Sequence, residues 1–176
     1  MTSPRLTYET LRPEHAEELF TALCNEQVYQ HFTCPPPETQ AQLEETFARM
    51  CAGPWASSRQ KWLNYIVRLL ESNQAIGRIE ATIIRSNAEV AYLFDPAYWG
   101  HGFAGEALGW LHHQLMTHHH VTDLWATATP ANIHSIRLLL RSGYRYAPPE
   151  TWPKLTSYDE GDAVLHRPVK GWPEAS

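Results

Sequence analysis

Positive charge is scarce in this chain: 14 lysines and arginines face 19 aspartates and glutamates, a formal charge of -5 at pH 7. Nonspecific nucleic-acid binding needs a surplus of cations to displace phosphate counterions, so that class is set aside. Cysteine is scarce too. Cys24, Cys34 and Cys51 are odd in number, far apart and without C-x-x-C spacing, which indicates neither a disulfide framework nor a zinc site. No apolar run approaches membrane-spanning length, and residues 1–11 carry charges and a proline where a signal peptide would carry its apolar core. A reducing cytoplasm, away from membranes, suits these absences. Internal repeats and low-complexity linkers are also missing.

What is present fits one ordinary α/β domain. With 176 residues, 43% of them hydrophobic, there is enough apolar surface for one core, while two would be cramped. The domain is expected over residues 1–169, with 170–176 as a loose tail. Residues 5–11 alternate weakly before Pro13, and Ala16, Leu19, Phe20 and Leu23 then recur at helical spacing. Pro35, Pro36 and Pro37 lack backbone donors and mark a loop. A helix starting near Glu38 follows, with Leu43, Phe47 and Met50 on one face and Gly53-Pro54 at its end. Strand-like runs cover 62–69, 75–84 and 89–95, and the short polar turns between them imply antiparallel neighbours. Residues 90–94 are apolar on both faces, which places that strand at the sheet centre. Beyond it come a helix over 103–118, a strand over 124–128, a helix over 132–142 stopped by Gly143, an extended piece at 144–147, a proline-rich loop and a last strand at 163–167. The sum is a mixed, mostly antiparallel twisted sheet of about six or seven strands with about four helices.

Gly100-His101-Gly102-Phe103-Ala104-Gly105 stands between the central strand and a helix. Small residues there let backbone N–H groups approach an anion, and the helix dipole favours phosphate, as in a pyrophosphate cradle. The string also satisfies the dinucleotide pattern G-x-G-x-x-G, with Asp123 about twenty residues on. Three features oppose that reading. Pro96-Ala97-Tyr98-Trp99 separates strand from glycine, Asp123 precedes the next strand instead of ending it, and several elements come before the motif. Glycines that serve only a tight turn remain the plain alternative.

The string Leu93-Phe94-Asp95-Pro96-Ala97-Tyr98-Trp99-Gly100-His101-Gly102-Phe103-Ala104-Gly105-Glu106-Ala107-Leu108 resembles the acetyl-CoA motif of the GNAT superfamily of N-acetyltransferases. It is most similar to the RimJ/RimL-type branch, which acetylates protein N-termini and various small amines. Asn132-Ile133-His134-Ser135, with Leu138, Leu139, Gly143 and Tyr144, resembles that family's N-x-x-S helix followed by a glycine and an aromatic. With residues 5–13 similar to the family's opening strand and turn, the resemblance covers nearly the whole chain. It implies a sheet splayed at the central strand and direct transfer of acetyl from acetyl-CoA to a primary amine, on a small molecule or a protein N-terminus. It further implies pyrophosphate on the amides of His101, Gly102, Phe103, Ala104 and Gly105, and the pantetheine arm along the strand edge at Leu93 and Phe94. Asn132 would help bind that arm, and Ser135 would lie near the thioester sulfur. One departure stands out. Many members carry a tyrosine on this helix as proton donor to the leaving thiolate, whereas the matching position here is Leu139, so Ser135 becomes the implied donor. A module of the same fold that binds acyl-CoA without transfer is the competing class.

Transfer needs a neutral amine held against the thioester carbonyl, a donor to that carbonyl and an acceptor for the amine proton. A backbone amide near Leu93 or Phe94 is the expected carbonyl donor. Glu89, ahead of Glu80, is the expected proton acceptor, each also reading as a plain strand carboxylate. Tyr92 reads as catalytic or as core. Tyr29, His31, Phe32, Trp152 and Tyr158 are the expected lining of an acceptor groove formed by 28–37 and 148–162, or stiffen those loops. Arg137 and Arg141 fall four apart, facing either coenzyme A phosphates or solvent. His112, His113, His118, His119 and His120 lack metal-ligand spacing, so no metal is expected. Self-association into a homodimer is left open.

Overall fold

A computed structural model describes residues 3–169; the tail expected at 170–176 lies outside the described residues. The elements run β1 (Leu6–Thr10), α1 (His15–Leu23), α2 (Glu26–Tyr29), α3 (Gln40–Ala52), β2 (Gln60–Leu69), β3 (Ala75–Ile84), β4 (Asn87–Phe94), α4 (Phe103–His119), β5 (Asp123–Ala128), α5 (Ile133–Arg141), β6 (Arg145–Tyr146) and β7 (Ala163–Pro168). They build one seven-stranded sheet in the order β1-β2-β3-β4-β5-β7-β6. Short turns join β2, β3 and β4 as antiparallel neighbours, α1 to α3 bring the chain from β1 back antiparallel beside it as β2, and α4 carries the chain over to β5, which runs parallel to β4.

Helices cover both faces, which is why β4 carries apolar residues on both. Leu108, Leu111 and Leu115 of α4 bury against Ile79, Val90 and Leu124. On the opposite face Leu19 and Leu23 of α1 and Leu43 and Phe47 of α3 cover Ile66 and Leu93. Truncating such a fully buried leucine to alanine costs about 2–5 kcal/mol. Among the described residues no helix is long and apolar enough to cross a membrane.

The feature that positions the site is where sheet pairing stops. β4 pairs with β5 only at Asn87, Glu89 and the residue between them, opposite Asp123 to Trp125, and then runs on to Phe94 without that neighbour. On its other edge β4 stays paired with β3 to its end, where Gly77 faces Phe94. A Cβ at position 77 would lie 2.4 Å from the Leu93 carbonyl oxygen, so only glycine admits this approach.

Several boundaries differ from the sequence reading. The strand expected over 89–95 starts two residues earlier, because Arg85 takes a left-handed φ of 58° to make the turn and Asn87 already belongs to β4. One-turn α2, unforeseen at four residues, is started by Asn25, whose side chain accepts from Gln27 N at 2.9 Å. Periodicity cannot report so short a helix.

Candidate functional site

The glycine turn follows β4 through a single 3-10 turn, Pro96–Tyr98. Asp95 starts it by accepting from Ala97 N at 2.9 Å, and the Trp99 indole donates back to the Phe94 carbonyl at 2.9 Å. Gly102 then takes φ 83°, a left-handed conformation that β-carbon residues avoid, and serves as N-cap of α4 without any side-chain cap. The first bond into the helix runs from Glu106 N to Gly102 O at 3.1 Å. The amides of Phe103, Ala104 and Gly105 therefore have no intrahelical partner and concentrate the positive end of the helix dipole at the turn. His101 uses its ring N–H on the Trp99 carbonyl at 2.9 Å. Gly105 has a second reason to be small: a Cβ there would meet Leu138 Cδ1 of α5 at 3.3 Å.

Arg5, which sequence reasoning missed, fastens this turn. Its guanidinium donates to the His101 carbonyl at 3.1 Å, pairs with Glu106 at 2.8 Å and lies 4.6 Å from the Phe103 ring centroid. Ser3 also donates its hydroxyl to Glu106. Burial pushes the Glu106 carboxyl up, but the bonds from Ser3 and Arg5 outweigh it and hold the group below its ordinary range. No local pattern links positions 101 residues apart in sequence.

The open edge of β4 can be read from its register. Asp95 N donates to Ile76 O at 2.9 Å, so peptide groups at 95, 93 and 91 turn toward β3. Those of Tyr92 and Phe94 turn toward the gap that β5 has left. Of the two residues expected to offer an amide, Phe94 thus faces the gap, while Leu93 is engaged with β3.

Side chains alternate across the sheet as well. Val90 and Phe94 lie in the core beneath α4, and Tyr92 packs against the same cluster. Its hydroxyl stands 2.8 Å from Ser135 Oγ, in the first turn of α5. Asn132 caps that helix, accepting from Ser135 N at 3.0 Å, and so sets the serine in place. Burial, opposed by the Ser135 bond, pushes the Tyr92 hydroxyl up to about 12. It keeps its proton at neutral pH.

The same face holds a buried network at His112. A guanidinium only donates, so Arg167 Nη1 at 2.5 Å makes His112 Nδ1 an acceptor. Nε2 then carries the proton and donates to Tyr144 Oη at 2.8 Å. Burial and the Arg167 charge pull His112 down to about 3, so it is neutral in the fold. Among the described residues no three histidine, cysteine or acidic side chains gather as a metal site.

Glu89, the expected proton acceptor, lies on the opposite face, and four donors reach its carboxylate. One carboxylate oxygen accepts from Thr156 N at 2.8 Å and Thr156 Oγ1 at 2.7 Å. The other accepts from Ser157 N at 2.9 Å and from the Ser157 hydroxyl. Ser157 also meets Thr127 of β5, Oγ to Oγ1 at 2.8 Å. Glu89 thus clamps the loop between β6 and β7 across the point where β4 and β5 part, and its lone pairs are taken. Thr156 and Ser157, the donors, were not foreseen. Glu80 is ion-paired with Arg78.

The two loops expected to form a groove do meet: Thr33 Oγ1 lies 3.3 Å from Asp159 Oδ2. Each carries one aromatic pair, Tyr29 with Phe32 at 5.7 Å between centroids and Trp152 with Tyr158 at 5.2 Å. Trp152 is further tied by its indole N–H to the Ala147 carbonyl at 2.9 Å. His31 is half-buried and makes no hydrogen bond among the described residues. Arg137 and Arg141 are exposed on α5 and make no ion pair among the described residues.

A sheet parted beyond its central strand, with an uncapped helix start beside the parting, defines an N-acyltransferase of the GNAT fold. Residues 5–145 match the Acetyltransferase (GNAT) domain, and the chain belongs to this family, which works with acyl-CoA. A comparison with curated proteins gives no significant match. Among solved structures, a GNAT-family acetyltransferase from Bacillus anthracis is similar with a TM-score of 0.75 at 16% identity, covering 96% of this chain and 98% of its own. RimL, a ribosomal-protein alpha-N-protein acetyltransferase, has a TM-score of 0.75 at 15% identity, covering 96% and 93%. Spermidine N-acetyltransferase from Vibrio cholerae, solved with CoA and spermine, has a TM-score of 0.71 at 15% identity, covering 93% and 95%. At such identities the likeness is one of fold.

Proposed function

We propose that this chain transfers an acetyl group from acetyl-CoA directly to a primary amine, on a small molecule or a protein N-terminus. The observation that carries the reading is the hydroxyl pair Tyr92–Ser135, 2.8 Å apart, beside the strand edge that β5 leaves open. A thioester arm with two amide groups can add to that edge as a strand would, pairing with the peptide groups of Tyr92 and Phe94. The amides of His101 to Gly105 then receive the diphosphate, and the Phe94 N–H is placed to polarise the thioester carbonyl. The side-chain NH2 of Asn132, whose oxygen is spent on the cap, remains for the arm.

The transfer balances without a covalent enzyme intermediate. The amine nitrogen bonds to the carbonyl carbon, the carbon–sulfur bond breaks, and the thiolate takes a proton from Ser135, which takes one from Tyr92, and the tyrosine regains its proton from water. The proton that the amine loses goes to water, because the Glu89 carboxylate is occupied by loop donors.

Thiol release from acetyl-CoA, followed across peptides, polyamines and amino acids, tests the reading. Release that depends on one amine class supports it. A module that binds without transfer is favoured by Leu139, buried at 1% exposure where many relatives place a proton donor. Binding of acetyl-CoA with no release on any amine would select that module instead.

A further inference from the structure

Beside Glu89, on the sheet face away from α4, a cavity of about 310 Å³ opens between Thr82, Glu89 and Trp125. Three cations reach it from separate segments: Arg59 ahead of β2, Arg85 in the β3–β4 turn and Lys154 in the loop after β6. All three are exposed, and none makes a hydrogen bond or ion pair among the described residues. The one carboxylate at the cavity, Glu89, is filled by Thr156 and Ser157. In a chain of net charge -5, three unpaired cations around one hollow create a local positive field that attracts an anion and repels a polycation.

The position of the cavity along β4 adds a length. Tyr92, beside Ser135, is three residues beyond Glu89, about 10 Å at roughly 3.3 Å per residue. The hydroxyl pair and the cavity lie on opposite faces of the sheet, so an amine at the parting of β4 and β5 and an anion in the cavity are separated by at least about that distance. A free α-amino acid holds its amine and carboxylate too close together. An extended peptide advances about 3.3–3.6 Å per residue, so an acidic side chain two or three residues in spans the gap. Resting on the transfer reading above, we infer that the acceptor is a peptide amino-terminus with acidic side chains among its first residues, held by Arg59, Arg85 and Lys154.

The test is thiol release from acetyl-CoA by the full chain with four acceptors: an acidic peptide, the same peptide with lysines for its acids, free glutamate and spermidine. Exposed ion pairs are individually weak, so three together give about a tenfold preference in kcat/KM for the acidic peptide over its lysine counterpart. Arg85→Glu with Lys154→Glu should erase that preference by raising the peptide KM, while the KM for acetyl-CoA stays put and reports an intact fold. Equal or better use of spermidine or the lysine peptide overturns the inference, as does a preference that survives the charge reversal. Glutamate matching the peptide overturns the extended acceptor. No release with any amine, although acetyl-CoA binds, defeats the transfer reading itself and is thereby told apart.

Discussion

Replacing Tyr92 with phenylalanine removes one hydroxyl from a buried pair and leaves the ring's packing under α4 in place. That hydroxyl sits 2.8 Å from Ser135 Oγ and is pushed up to about 12, so it arrives protonated and can donate to the serine. In the proposed transfer Ser135 serves the sulfur, and the two would act in series. General acids contribute about 10² to 10⁴ in rate, and a thiolate leaves easily, so Ser135→Ala should cost near the low end, about 10²-fold in kcat. Losing the Tyr92 bond costs about 1 kcal/mol, or about fivefold. Because tyrosine works only through serine, the double variant should be no slower than Ser135→Ala alone. Thiol release at saturating acetyl-CoA gives kcat, and calorimetry should find cofactor affinity little changed. Two independent roles would instead multiply to about 500-fold in the double variant, and that product would refute the series arrangement. Unaltered kcat in Ser135→Ala would remove the serine as donor.

Gly102→Val forces a branched side chain into φ 83°, and a loss of acetyl-CoA affinity beyond tenfold, about 1.4 kcal/mol, is expected by calorimetry; retained affinity would separate the turn from the cofactor. Arg5→Met frees the His101 carbonyl and Glu106 together, so affinity for acetyl-CoA should fall about fivefold and Tm should drop, and Arg5→Lys should restore neither because one ammonium cannot replace a fork of donors. For His112 the folded value of about 3 lies below the unfolded value of 6.5, so the unfolded chain binds more protons between them. Stability should then fall as pH drops through that window, by up to about 1.4 kcal/mol per unit, and His112→Gln should flatten the slope in urea melts at pH 4 to 7.

Much of this molecule was legible from short stretches of chain. Leu108, Leu111 and Leu115 announce α4 by spacing alone, and residues 90–94, apolar on both sides, announce a strand covered twice. Asn132 and Ser135 lie three positions apart, within one helical turn, and the cap bond between them follows from local geometry. The glycine turn is equally local: Gly102 must take a left-handed φ, and an uncapped helix start must follow. What spacing could not deliver was the state of each functional group. Glu89 reads in sequence as a proton acceptor or a plain strand carboxylate, and nothing local foretells that Thr156 and Ser157, 67 and 68 positions away, bond its oxygens.

The amino-acid order alone therefore determined the longer elements, the glycine turn and the family, because each depends on backbone conformation and on contacts within a few residues. Tertiary structure decided that Tyr92 backs Ser135, that Arg5 grips His101 and Glu106, and that three separated cations surround one cavity. A side chain's partners across a sheet depend on register and on how strands part. Those are settled only when the whole sheet closes its core.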